Sequence, residues 1–175
     1  MSSSALTTKE LKHLWEDLAG EDAATAYRAV WTLSAVPEQA VPFLSERLRS
    51  AAMFDERQVR QLIADLDSER FAVRQQAETK LGKMGWVVES ALRRAQKDKP
   101  SLEVRRRLTN LLQGIETASP SGEWLRVARS LAVLEQVGSV EARRVLKTLA
   151  EGASESRLAR EAAKALQRLA KRDPS

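Results

Sequence analysis

Apolar positions recur at helical spacing along almost the whole chain. Leu11, Leu14, Trp15 and Leu18 fall at i, i+3, i+4 and i+7, the stripe of a first helix that Thr7 or Thr8 caps and Gly20 ends. Asp22 caps a second helix with Ala26, Ala29, Val30 and Leu33 inward. Pro37 suits the first turn of a third, which carries Ala40, Val41, Leu44 and Leu48, with Pro42 expected to leave its start ragged. Asp55 opens a fourth on Val59, Leu62, Ile63 and Leu66, and Ser68 a fifth on Val73, Ala77, Leu81 and Met84. Residues 86–97 read as a sixth. Ser101 caps a seventh with Val104, Leu108, Leu111, Leu112 and Ile115. Ser121, Glu123 and Trp124 open an eighth that Gly138 ends, residues 139–151 form a ninth, and Ser154 or Ser156 caps a tenth running to about Ala170.

No stretch alternates with period two and β-branched enrichment, so no sheet is expected. The connections are short apart from 50–54 and 117–122. These are expected to perturb regular stacking without dividing the chain, which is read as a single domain over 1–175.

Repetition is the main signal. Asp67, Val73, Arg74 and Leu81 return 31 positions later as Asp98, Val104, Arg105 and Leu112. Leu158, Ala162 and Leu166 repeat the apolar part. A lone helix pair cannot bury both of its apolar faces, so such units stack and share one core. The pattern Asp67, Val73-Arg74, Ala77, Leu81-Gly82 resembles the HEAT-repeat signature. The match is good over 58–84, good over 86–116 with Leu108 in place of the small residue, and partial over 139–170. The resemblance implies a right-handed α-solenoid of about ten helices, HEAT-like or armadillo-like. It also implies that Asp67, Arg74, Asp98 and Arg105 tie adjacent repeats together as structural residues. More broadly, Leu14-Trp15, Ala26–Leu33, Pro37–Leu44, Ile63–Arg74 and Gly138–Leu146 resemble a helical accessory module of planctomycete-type bacterial proteins, where it often follows WD-repeat propellers. That resemblance implies an interaction domain without an activity of its own.

Charge changes the picture in one place. The net charge is +5, and residues 93–107 carry seven basic side chains against two acidic ones. Arg93, Arg94, Lys97, Lys99, Arg106 and Arg107 are therefore the candidate binding surface for an anionic partner. Glu89 and Glu103 stand at helical spacing to neutralise part of it. Trp15, Trp31, Trp86 and Trp124 fall near apolar positions and read as core, the alternative being a stacking platform for bases beside the basic segment.

Chemistry is thin. The chain has no cysteine, which removes disulfides and thiol nucleophiles. His13 is the only histidine and lies off its helix's apolar stripe, with no nucleophile placed near it. Phosphate-binding and nucleophile-elbow motifs are absent. No cofactor, metal or membrane span is expected, and the start of the chain lacks the pattern of a secretion signal, so a cytoplasmic location is expected. The reading is a non-enzymatic protein–protein interaction scaffold whose partner is another protein. The alternative is a nucleic-acid-binding HEAT-like protein that uses the basic surface around 93–107.

Overall fold

The computed structural model describes residues 5–51, 53, 55–118, 122–152 and 156–172. Regular structure among them is entirely helical, with no strand. In chain order the elements are α1 (Thr8–Asp17), α2 (Ala23–Ser34), α3 (Pro37–Ala51), α4 (Glu56–Asp65), α5 (Phe71–Met84), a 3-10 turn (Gly85–Val88), α6 (Glu89–Lys97), α7 (Leu102–Thr117), α8 (Gly122–Val137), α9 (Val140–Glu151) and α10 (Arg157–Arg172). The stretch 86–97, expected as one helix, thus divides in two, and the helical segments depart from ten in number. Gly85 at φ 58° ends α5, and the division itself falls at Val88, whose φ −94° and ψ 0° depart from the regular α-helical path.

Five helix starts follow local capping chemistry. Thr7 accepts the Glu10 N–H at 3.2 Å, and Glu10 takes the Thr7 N–H at 2.7 Å in return. That bond from the Thr7 backbone, with the Thr7 hydroxyl, holds the Glu10 carboxyl below the usual carboxylate range. Asp22, Asp55, Ser101 and Ser139 each accept from the first turn of the helix they precede. Ser68 does not open α5. The helix begins at Phe71 after Arg70, which makes no side-chain cap, and the Ser68 hydroxyl takes the Arg70 N–H at 3.3 Å inside the turn. α3 is continuous through Pro42, which removes only one helical donor. The expected caps Ser121 and Ser154 lie outside the described residues, as do 52, 54 and 119–121 of the two longer connections.

Two compact units make up the chain. Unit 1 comprises 1–51, 120–154 and 158–175, and unit 2 comprises 52–119 and 155–157. In unit 2, α4 pairs with α5 and α6 with α7. First helix then packs on first helix (α4 on α6) and second on second (α5 on α7). The second helices start at Phe71 and Leu102, which keeps the 31-residue register of the sequence. Leu66, Leu81, Leu92 and Leu108 are fully buried in its core.

Unit 1 is not built in chain order. α1 pairs with α2 and α8 with α9, but α2 also packs along α8, and α3 against α8 and α9. A linear stack brings together only consecutive repeats. Here the Arg129 guanidinium, 111 residues along the chain from Leu18, donates to its carbonyl at 2.6 Å and to that of Gly20 at 2.7 Å. Leu18, Leu33, Leu44 and Val133 form the centre of this core.

Gly138 ends α8 at φ 59°, and a Cβ there would lie 3.3 Å from Leu169 Cδ2. Both the left-handed backbone and the contact resist a side chain. Gly138→Ala is expected to destabilise the protein by about 1 kcal/mol or more, read from urea denaturation; an unchanged midpoint would show that this turn is not held as described.

Candidate functional site

The structure distributes the basic segment over α6, the following turn and α7, and it does not leave all of its charges free. Arg93 on α6 is held by Glu89 at 2.9 Å and by Glu116 of α7 at 2.6 Å. Burial opposes the Arg93 charge, but the hydrogen bonds to those two carboxylates outweigh it and hold its pKa above the usual arginine value. Arg107 is clamped between Glu103 at 2.7 Å and Glu78 of α5. Both arginines therefore tie helices of unit 2 together. Arg94, Lys99 and Arg106 are exposed, and their side chains have no hydrogen bond or ion pair among the described residues. Lys97 is exposed as well. Lys99 stands in the α6–α7 turn at φ 53°, a region that side chains seldom occupy.

The four repeat residues differ in what they do. The Asp67 carboxylate accepts the Ser101 hydroxyl at 2.8 Å, which links the first turn of unit 2 to the start of α7. Arg74 reaches back to the Ser68 and Glu69 carbonyls at 2.7 and 3.0 Å. These bonds satisfy carbonyls that the turn cannot pair itself. Arg143, at the same distance from the start of α9, donates in the same way to the Gly138 carbonyl at 2.9 Å. Asp98 and Arg105, the counterparts of Asp67 and Arg74, are exposed and make no such bond among the described residues.

A groove of about 280 Å³ runs along α4 and α6. Val59, Ile63, Ala91 and Ala95 form its floor, and Glu56, Arg60, Arg94 and Asp98 its rim. Each wall presents its residues at i, i+3, i+4 and i+7, so the groove is a seam between two helix faces. Its volume is just below the range of roughly 300–1,000 Å³ usual for small-molecule sites. Two rim charges of each sign give it no preference for a cation or an anion.

Trp15, Trp86 and Trp124 are buried, whereas Trp31 is 52 % exposed and stacks edge-on against Tyr27 at 6.0 Å between centroids. Its expected core role is thus corrected: α2 buries Ala26, Ala29 and Leu33 and turns Tyr27 and Trp31 to solvent. His13 is 78 % exposed, with Asp17 at 3.7 Å. Sequence reasoning also missed three exposed apolar side chains at helix starts. Phe71, Leu102 and Val140, the first residues of α5, α7 and α9, are 64 %, 81 % and 67 % exposed. The 31-residue register relates the first two, and none belongs to the apolar stripes.

No described helix is long and apolar enough to cross a membrane. Among the described residues no group of acidic or histidine side chains is placed to hold a metal ion. Compared with known proteins, the chain matches no family model and no curated relative.

Proposed function

We propose that the chain is a non-enzymatic protein-interaction module whose unit 2 is a pair of HEAT-like repeats. The observation that carries the reading is the stacking of α4 on α6 and α5 on α7 in the register of the sequence repeat. Such stacking repeats each exposed position at a fixed offset, so one face offers the same chemistry twice to an elongated partner. The reach-back arginines Arg74 and Arg143 support the same assignment for the α4–α5 and α8–α9 pairs. On this reading the solenoid is local to stacked pairs. The chain then serves as an accessory domain, of the kind its wording resembles beside WD-repeat propellers.

The nucleic-acid reading needs the basic segment to act as one surface. With Arg93 and Arg107 committed to carboxylates, Arg94, Lys97, Lys99 and Arg106 remain as the exposed members. Four phosphate contacts give a log–log salt slope of only about −4. In a gel-shift titration at physiological salt, duplex and single-stranded DNA are expected to show no sub-micromolar binding. A sub-micromolar complex that Arg94→Glu and Arg106→Glu abolish would replace the protein-interaction reading.

A further inference from the structure

We propose that the turn edge of unit 2, around Phe71 and Leu102, docks an acidic peptide segment of a partner protein that also carries apolar side chains. The inference rests on the interaction-module reading and names its surface and the chemistry of its partner.

Phe71 and Leu102 are large, apolar and mostly exposed, and they open two helices that pack side by side. Each is followed three positions later by an arginine, Arg74 and Arg105. The 31-residue register therefore sets down one apolar–arginine step twice on one edge. On α7 the step continues to Arg106, and Leu102, Arg105 and Arg106 share a helix face at i, i+3 and i+4. The Arg74 guanidinium lies 5.7 Å from the Phe71 ring centroid, so the first step is already assembled. Both side chains keep most of their apolar surface in water, surface that the apolar side chains of a docked segment would cover.

Charge gives the edge a sign. Arg70, Lys99, Arg105 and Arg106 are exposed, and none has an ion pair or side-chain hydrogen bond among the described residues. Asp67, Glu69 and Asp98 are the exposed carboxylates beside them, Asp67 keeping its charge while it accepts the Ser101 hydroxyl, and Glu103 is paired with Arg107. With Arg74 the edge carries five cations against three unpaired carboxylates, an excess that selects an acidic partner. The apolar pair selects against a nucleic-acid backbone, which offers Leu102 nothing. It also selects against a lipid surface, since two side chains at helix starts do not make the long apolar face that lies in a bilayer. The balanced groove along α4 and α6 has no such preference of sign.

The test uses the full chain and a fluorescein-labelled peptide in which Leu and Phe alternate with Glu and Asp. A control peptide carries Lys in place of the acids. Fluorescence anisotropy is expected to show binding of the acidic peptide and not of the control. Phe71→Ser with Leu102→Ser, both at exposed positions, is expected to weaken binding about tenfold or more, and Arg105→Glu with Arg106→Glu to a similar degree. An acidic peptide that fails to bind, or that binds all three proteins alike, would overturn the proposal. So would tighter binding of duplex DNA or of phosphatidylserine vesicles at the same salt. The interaction-module reading survives that failure if a protein partner crosslinks to the α4–α6 groove of the Phe71→Ser, Leu102→Ser variant; it falls too if DNA is the ligand.

Discussion

Leu81→Ala and Leu112→Ala are each expected to cost about 2–5 kcal/mol of stability. Leu81 is fully buried on α5 and Leu112 nearly so on α7, and these two helices pack against each other in unit 2. Removing either side chain loses the transfer of its methyl and methylene groups and leaves a cavity that two rigid helices cannot close. Arg106→Ala on the same helix as Leu112 serves as the comparison. Its side chain is exposed and without a partner among the described residues, so its effect is expected within about 0.5 kcal/mol. Urea denaturation of the three variants checks both halves. Equal costs at Leu112 and Arg106 would place the buried face of α7 elsewhere.

Trp15→Ala is expected to be more damaging, at about 3–5 kcal/mol. The ring is buried in unit 1, meets Phe43 edge-on at 6.2 Å, and lies 5.9 Å from the Arg47 guanidinium and 5.1 Å from that of Arg126. Arg126 is in turn held by Glu16 and Glu123, each at 2.7 Å. The indole thus joins α1, α3 and α8, and its loss removes apolar burial and two cation–π contacts together. Trp31→Ala, at a ring half in solvent, is expected to be close to neutral. Thermal unfolding of the two variants distinguishes them; similar losses would mean that Trp31 is packed after all.

What the sequence disclosed is what local chemistry decides. Thr7, Asp22, Asp55 and Ser101 announce helix starts because a cap acts over three residues. Gly138 announces an end because only its backbone suits the left-handed turn. Ser68 misled because Ser68 and Asp67 serve the turn and the start of α7 instead. Trp31 misled because α2 has apolar residues on two faces, and periodicity does not say which one is covered. The packing of α2 along α8 has no local signature at all.

The candidate surface divides along the same line. Its i,i+4 neutralisation, Glu89 with Arg93 and Glu103 with Arg107, could be read from spacing. Glu116 and Glu78, which complete the two clamps, reach their arginines only through the fold. Phe71 and Leu102 belong to no buried stripe, because each is the first residue of its helix and faces solvent. Their register was nevertheless present in the repeat.

The stacked pairs of unit 2 underlie both the repeat assignment and the duplicated edge. The direct measurement is a set of proton NOEs on methyl-labelled protein in solution. A Cβ built on Gly82 of α5 would lie 3.7 Å from Leu111 Cδ2 of α7, so the Gly82 α-protons are expected to give a strong NOE to the Leu111 methyl group. NOEs within each helix pair that persist while the Gly82–Leu111 contact is missing would contradict the stacking, and with it the surface on which the proposed function depends.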